Sequence, residues 1–384
     1  MKKWICVGLI LSMLVLPVHA QPEGLSVAGK SALLMDAATG TVLFESNSHE
    51  KLAPASVTKV RTLLLIMEAI DSGKISWKDT LTASAEAAAK GGSQIFLKEG
   101  ETMSVEDMVK SIAVSSANDC ACAMAEHIAG SEAAFVELMN QKAKELGMND
   151  TNFVNCTGLD DEPEAENHKT SAYDIALMSR ELIVKHPDIK KYTTIWMDTV
   201  RNGTFGLSNT NKLIRFYSGA TGLKTGFTSG AGYCLSATAK RDGMELIAVV
   251  MGCETSKERL AACKTLLDFG FANYALVTPE LSGSNSVPVK LGTQAQVNAV
   301  PGENPQLLIS KGQKDMITTQ VTLEEGVTAP VSQGQRLGTL EIKAGDQILS
   351  QVPMVAEAPV ERLTLGQLFV EMLRRLSGSL SAPA

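Results

Sequence analysis

Apolar residues follow two different periods along the first two thirds of the chain. Residues 31–46, SALLMDAATGTVLFES, have the pattern of two apolar strands joined by a turn at Asp36–Gly40. Residues 231–252, AGYCLSATAKRDGMELIAVVMG, have the pattern of a second strand pair. The pattern is helical from Pro54 to about Gly130 and again over residues 256–274. Strands at both ends with helices between them predict one sheet in which the first and last strands meet.

The pattern changes near residue 284. Residues 284–360 are rich in Gly, Pro, Val and Thr in short alternating runs, with no apolar period of helix length, which predicts a small, separate all-β domain. We therefore expect an α/β (α+β) fold. Residues 21–283 would form a mainly antiparallel sheet flanked by helices, and residues 284–360 a second, β-rich domain.

Residues 361–384 form a third kind of segment, an amphipathic tail. The helical positions on one face are apolar: Leu365, Leu368, Phe369, Met372, Leu373 and Leu376. A helix of this length is too short to span a bilayer, which needs about 20 residues, but it can lie in the interface with its arginines toward the headgroups. We predict contact with a membrane surface. The alternative is a helix that caps the β domain or packs on a neighbouring chain.

Residues 1–20 have the features of a secretory signal segment. Lys2 and Lys3 precede an apolar run of about 15 residues, and the small-residue stretch that ends at Ala20 resembles a cleavage site. This pattern predicts an exported protein. Its mature part would carry two fewer positive charges than the full chain.

Charge and composition argue against several partners. The 384 residues have a formal net charge of −7, and this excess of acid, spread along the chain, argues against nucleic acid. The cysteines outside the signal segment show no CxxC spacing and mostly lie in apolar runs, which favours buried thiols over a disulfide framework. The scattered histidines lack ligand spacing, so we expect no metal and no cofactor.

Two Ser-x-x-Lys segments occur close together. Ser56 and Lys59 follow Pro54 at a predicted helix start, where they would lie one turn apart on one face, near free backbone N–H groups. Ser48 and Lys51 lie in a polar turn with no helix start. An amine beside a hydroxyl can activate a serine without histidine, and the context favours Ser56 and Lys59.

Two further short patterns follow in order. Ser116-Ala117-Asn118 is the sole SxN of the chain, and Lys224-Thr225-Gly226 the sole KTG, just before the second strand pair. SxxK, SxN and KTG in this order are the signature of the serine penicillin-recognising enzymes, whose nucleophile is served by a lysine.

On these residues the chain resembles the low-molecular-mass penicillin-binding proteins, the serine-type D-alanyl-D-alanine carboxypeptidases. The resemblance extends to GATGLKTGFTSGAGYCLSATAKRDGMELIAVVMG, to the trailing β domain and to the amphipathic end. It implies the penicillin-binding-protein/β-lactamase-like transpeptidase fold. It also implies a substrate, the peptidoglycan stem peptide ending in D-Ala-D-Ala, and covalent inhibition by β-lactam antibiotics. The location that it implies is peripheral, at the outer face of the cytoplasmic membrane or in the cell wall.

The resemblance also implies catalytic roles. Ser56 would attack the carbonyl between the two terminal D-alanines, and Lys59 would take its proton if burial and a nearby positive charge lower the pKa of Lys59. Lys224 is the expected source of that charge. Ser116 would relay a proton to the departing D-alanine.

Substrate-binding roles follow from the same resemblance. Lys224 and Thr225 would hold the terminal carboxylate, and Asn118 the peptide amide. The oxyanion hole would consist of the backbone N–H groups of Ser56 and Phe227. Arg201 is a further candidate for the carboxylate.

Three alternatives share these motifs. A β-lactamase would hydrolyse its acyl-enzyme quickly, but the acidic loop with Glu162, Glu164 and Glu166 lacks the ExxLN pattern of class A enzymes. A murein endopeptidase would cut cross-links. A wall-bound sensor would be acylated without turnover. A different kind of site, a Ser–His–Asp triad built on His127 or His168, has no supporting motif in the sequence.

Overall fold

The computed structural model describes residues 25–161, 163–281 and 285–376. The predicted signal segment and the end of the predicted tail lie outside these residues. The first part of the chain mixes strands and helices. Its strands are β1 (Ser31–Asp36), β2 (Val42–Ser46), β3 (Thr80–Thr82), β4 (Thr102–Ser104), β5 (Met197–Val200), β6 (Phe205–Ser208), β7 (Ala220–Thr228), β8 (Gly232–Arg241), β9 (Met244–Cys253) and β10 (Tyr274–Val277). Its α-helices are α1 (Lys59–Asp71), α2 (Ala85–Ala88), α3 (Val105–Ser115), α4 (Asn118–Ala129), α5 (Glu132–Glu145), α6 (Ala172–Lys185), α7 (Lys190–Thr193), α8 (Leu213–Phe216) and α9 (Ser256–Asn273). Short 3-10 turns span Ala55–Thr58, Pro163–Asn167 and Pro187–Ile189.

The main sheet of this part is antiparallel and five-stranded, in the order β2–β1–β9–β8–β7. Leu33 of β1 lies opposite Val249 of β9, which confirms the prediction that the first and last strands meet. Strands β8 and β9 are buried along most of their length because helices cover both faces of the sheet. Strand β7 forms one edge of the sheet.

Two apolar cores lie on the two faces of the sheet. The larger core packs α1, α3, α4 and α6 against one face, around residues such as Leu33 and Val249. The smaller core packs α9 on the other face, around Leu34 and Leu246. A capping box formed by Thr255 and Glu258 starts α9 beside the ends of the central strands. The cysteines of the described residues are unpaired and buried in these cores, as predicted: Cys120, Cys122, Cys156, Cys234, Cys253 and Cys263.

The second part of the chain is a β domain with one terminal helix. Its strands are β11 (Ser286–Lys290), β12 (Gln296–Pro301), β13 (Leu307–Ser310), β14 (Ile317–Leu323), β15 (Val327–Thr328), β16 (Arg336–Ala344) and β17 (Gln347–Ala356). A 3-10 turn spans Lys311–Met316, and α10 spans Leu365–Leu376. Six strands form a sheet in the order β14–β16–β17–β12–β11–β15 around a separate apolar core. Strand β13 pairs with β10, so one ladder joins the two parts. The predicted fold class, an α+β part followed by a β domain, is confirmed.

Candidate active site

Ser56 and Lys59 lie where the 3-10 turn Ala55–Thr58 runs into α1. Lys59 is the first residue of α1, one turn beyond Ser56, and its Nζ donates a 2.9 Å hydrogen bond to the Ser56 Oγ. The same Nζ donates to the carbonyl of Thr157 at 2.8 Å. This is the contact that a serine nucleophile and an amine base require.

The amine of Lys59 is fully buried. Burial lowers the pKa of Lys59 to about 7, against the opposing effect of Cys156 and the Asp119 carboxylate. Near neutral pH, a substantial fraction of this amine is therefore uncharged and able to accept a proton from Ser56.

His168 fixes the turn that carries Ser56. The Thr58 hydroxyl donates to the Ala55 carbonyl at 2.8 Å and therefore accepts from His168 Nε2, also at 2.8 Å. The backbone N–H of Val154 donates to His168 Nδ1 at 3.2 Å, so the hydrogen bonds assign the proton to Nε2. Burial lowers the pKa of His168 to about 4, with smaller effects from Lys169 and Lys59. His168 is thus a neutral structural residue, in line with the prediction.

Ser116 and Asn118 form the turn between α3 and α4. Ser116 ends α3 in the left-handed region with φ of 65°, and Asn118 starts α4. Both side chains are buried, and the Ser116 Oγ and the Asn118 Oδ1 have no hydrogen-bond partner within the described residues. Asn118 Nδ2 donates to the Gly91 carbonyl at 2.7 Å. Buried polar atoms without partners are rare in folded proteins, which makes these two atoms candidates for binding a ligand.

Lys224 and Thr225 lie on the edge strand β7, and both are buried. Lys224 Nζ donates to the Thr225 carbonyl at 2.9 Å. Burial holds the pKa of Lys224 well below its usual value, and the positive charges of Lys59 and Arg259 lower it further. Lys59 therefore lowers the pKa of Lys224, whereas the pKa of Lys59 itself is lowered by its burial. The expected role of Lys224 as the positive charge that lowers the pKa of Lys59 stays a prediction.

Thr210 connects the second and third motifs. Its N–H donates to the Val114 carbonyl, just before Ser116, and its hydroxyl accepts a 2.7 Å hydrogen bond from Thr225. Nothing in the sequence around Thr210 marks this role, because it depends on two segments that meet only in the folded chain.

Gly226 lets β7 pass directly over the turn with Ser56. A Cβ at this position would lie 2.6 Å from the Pro54 carbonyl oxygen and 3.0 Å from the Val57 nitrogen. Every other residue would push β7 away from Ser56. The backbone of Phe227 follows directly in the same strand.

Arg201 binds a loop beside the cleft. Its guanidinium pairs with Glu101 at 2.6 Å and donates to the carbonyls of Ile95 and Phe96. The Asp119 carboxylate accepts from the N–H groups of Ile95 and Leu97, so the loop is held from both sides. A role for Arg201 at the substrate carboxylate stays a prediction. The contacts that the structure gives it position the loop.

The other Ser-x-x-Lys segment forms no such pair. The Ser48 hydroxyl donates to the Glu45 carboxylate at 2.6 Å. Lys51 is exposed, and its Nζ donates to the Asn149 carbonyl and lies 3.8 Å from an Asp150 carboxylate oxygen. The preference for Ser56 and Lys59 thus agrees with the geometry.

Possible metal ligands converge at one place within the described residues, at Glu86, Cys122 and Glu126. The Lys90 ammonium lies in the same group, 3.7 Å from Glu86 and 2.6 Å from Glu132. Lys90 therefore already pairs with one of the three groups, Glu86, and burial raises the pKa of the Cys122 thiol well above its usual value. The arrangement does not favour a metal.

Both the sequence and the fold of this chain are similar to those of known proteins. A family model described as D-alanyl-D-alanine carboxypeptidase matches residues 17–255, and one described as penicillin-binding protein 5, C-terminal domain, matches residues 280–362. The D-alanyl-D-alanine carboxypeptidase DacF of Bacillus subtilis is 43% identical over 97% of this chain and 96% of its own length. Penicillin-binding protein 5 of Haemophilus influenzae, 30% identical, superposes with a TM-score of 0.75 over 89% of this chain and 100% of its own. Penicillin-binding protein D2 of Listeria monocytogenes in its cefotaxime-bound form, 32% identical, superposes with a TM-score of 0.60 over 65% of this chain and 100% of its own.

Proposed function

The chain belongs to the D-alanyl-D-alanine carboxypeptidase family, and we propose that the cleft around Ser56 carries out the reaction of that family. The protein is a serine-type carboxypeptidase that removes the terminal D-alanine from peptidoglycan stem peptides, and β-lactams bind it as they bind its relatives. This reaction belongs to the metabolism of the bacterial cell wall.

The first step is attack by Ser56 on the carbonyl carbon between the two D-alanines. Lys59 accepts the hydroxyl proton, because its buried amine has a pKa of about 7. The negative charge of the tetrahedral intermediate is stabilised by the N–H groups of Ser56 and Phe227. The 2.9 Å contact between Lys59 Nζ and Ser56 Oγ is the observation that carries this proposal.

The leaving D-alanine takes up a proton when the C–N bond breaks. Ser116 passes this proton from Lys59 to the departing nitrogen, which gives a function to a buried hydroxyl without a partner in the described residues. Lys224 and Thr225 bind the terminal carboxylate, and Asn118 binds the peptide upstream of the scissile bond. Water then hydrolyses the acyl-enzyme on Ser56.

We also propose that the protein is exported by means of residues 1–20 and is held at the outer face of the membrane by α10. Gln367 and Val370 of this helix face a hollow of about 660 Å³ against Val289 and Leu291 of the β domain. Leu365 and Phe369 on another side are 87% and 57% exposed. No helix within the described residues is long and apolar enough to cross a bilayer, which fits binding in the interface.

One assay tests the reaction. Purified protein is incubated with a stem pentapeptide, with a cross-linked dimer and with a penicillin, while D-alanine release and the lifetime of the penicilloyl-enzyme are followed. We expect D-alanine release from the pentapeptide and slow decay of the adduct. Rapid penicillin hydrolysis without D-alanine release would contradict the proposal and indicate a β-lactamase, and cleavage of the dimer alone would indicate an endopeptidase.

A second assay tests the tail. Deletion of residues 361–384 should leave D-alanine release in solution unchanged and should weaken co-sedimentation with vesicles that contain anionic lipid. Equal sedimentation of the full and shortened chains would remove the membrane proposal.

A further inference from the structure

Arg259 is a buried arginine behind the edge strand of the cleft. It lies in the first turn of α9, is 7% exposed, and packs over the ring of Tyr233. One terminal nitrogen, Nη1, donates to the Gly226 carbonyl at 3.0 Å and to the Cys234 carbonyl at 3.3 Å. The other, Nη2, donates to the Ser256 hydroxyl at 3.3 Å.

Within the part of the chain that the structure describes, the positive charge of Arg259 has no anionic partner. Among the ion pairs of the described residues, none includes Arg259, and its Nε makes no hydrogen bond there. An uncompensated buried charge costs free energy. A neutral side chain of the same size would avoid this cost. The presence of a charged side chain at this buried position therefore suggests that the charge has a function.

The carbonyl that Arg259 binds belongs to a particular peptide group. The oxygen of Gly226 and the N–H of Phe227 belong to the same planar unit, and in a trans peptide they point in opposite directions. The oxygen points back toward α9. The N–H therefore points away from Arg259, on a strand whose Gly226 lies against the turn with Ser56.

We propose that Arg259 is a positioning residue of the reaction, which orients and polarises the Gly226–Phe227 peptide so that its N–H stabilises the oxyanion formed at Ser56. The inference rests on the proposed function. A cation on the oxygen of a peptide draws electron density from its N–H, which makes that N–H a stronger donor, and the effect is largest at a buried site with low dielectric constant. Arg259 acts without contact to the substrate.

The acyl-enzyme offers a direct readout of this effect. The ester carbonyl oxygen formed on Ser56 by a penicillin lies in the oxyanion hole, and its infrared stretching frequency falls as the hydrogen bonds to it become stronger. We would measure this frequency, with the carbonyl isotopically labelled, together with the acylation rate. The variants are Arg259→Met, which removes the charge, and Arg259→Lys, which keeps it.

Arg180 provides a matched control. It also donates to two backbone carbonyls, those of Ala37 and Ala38, but at the β1–β2 turn. Arg180→Met therefore removes the same kinds of contact away from the cleft. We expect an unchanged frequency and acylation rate for this variant.

For Arg259→Met we expect a higher carbonyl frequency and acylation roughly 10-fold to 100-fold slower, less than the loss of a whole oxyanion donor. Arg259→Lys should restore part of both. An unchanged frequency in either variant, with acylation slowed or not, would overturn the inference, as would equal shifts in the Lys and Met variants. If Arg259→Met does not fold, Arg259→Lys against wild type still decides, because a longer, weaker contact must raise the frequency. No adduct on wild-type Ser56 would overturn the proposed function itself, and the inference with it.

Discussion

The two Ser-x-x-Lys segments of this chain have the same pattern and opposite chemistry. At the first, Ser48 donates a hydrogen bond to Glu45, and the ammonium group of Lys51 is exposed and stays solvated. At the second, Lys59 is fully buried and donates to Ser56. The same two residue types therefore form a structural contact in one place and, in the proposed reaction, a nucleophile with its base in the other.

The difference lies in what the rest of the fold places around each lysine. The Thr157 carbonyl accepts a hydrogen bond from the Lys59 amine, and β7 passes over the turn at Gly226. A hydrogen bond between His168 and Thr58 holds the turn in place. In the Ser48–Lys51 segment after β2, the serine is buried but the lysine is exposed to solvent. Burial by distant segments lowers the pKa of Lys59, which the proposed role as a base requires, and the spacing of serine and lysine only permits it.

Replacement of the serines should produce the largest difference. Ser56→Ala should abolish labelling by a fluorescent penicillin and D-alanine release, because it removes the hydroxyl that forms the acyl-enzyme in the proposed reaction. Ser48→Ala should label at the wild-type rate. Equal loss in the two variants would mean that the segments do not differ as described, and mass spectrometry of the labelled peptide would show which serine carries the adduct.

The lysines should differ in the same sense but with residual activity. Lys59→Met should lower the acylation rate by about 10² to 10⁴, the usual contribution of a general base. Lys51→Met should acylate normally. Lys59 has a pKa below that of a lysine in the unfolded chain, so its burial costs stability at every pH below about 10. Lys59→Met should therefore unfold at a higher temperature at pH 7, and a lower one would contradict this account.

The cover over Lys59 can be tested through Gly226. In Gly226→Ala, the new methyl group would meet the Pro54 carbonyl at 2.6 Å, so β7 must move away from the turn. We expect roughly 10-fold to 100-fold slower acylation, because small displacements of reacting groups cost about this much. Gly312→Ala in the β domain meets no atom within 4 Å and is the control. Equal rates for both variants would show that the close approach of β7 is not required.

The pH profile should separate the buried lysine from an ordinary one. Only the uncharged amine of Lys59 accepts the proton of Ser56, so kcat/KM should fall about tenfold per pH unit below a midpoint near 7 and level off above it. Lys51→Met should keep this profile. A midpoint near 10 in the wild-type enzyme would mean that burial does not lower the pKa of Lys59.

The structure also shows which features of this protein a single sequence can and cannot predict. Local patterns and short spacings are enough to predict the strand pairs, the helical region, the β domain and the catalytic motifs. The observed elements agree with the predicted fold. The roles of Thr157, Thr210 and Arg259 could not be predicted, because each depends on a backbone carbonyl or hydroxyl brought near by folding. Backbone groups have no signature in a sequence, so the motifs predict which side chains react but not what positions them.

The smallest expected effect reverses the comparison. Ser48 is buried and donates a 2.6 Å hydrogen bond to the Glu45 carboxylate, so Ser48→Ala should lower the free energy of unfolding by about 1 to 2 kcal/mol while activity stays unchanged. Ser56→Ala should change stability by less, since the partner it leaves behind is an amine that still donates to the Thr157 carbonyl. Urea denaturation of both variants, followed by circular dichroism, measures the difference. A larger loss of stability for Ser56→Ala would mean that the catalytic serine also holds the turn together, and that the two segments differ less than their chemistry suggests.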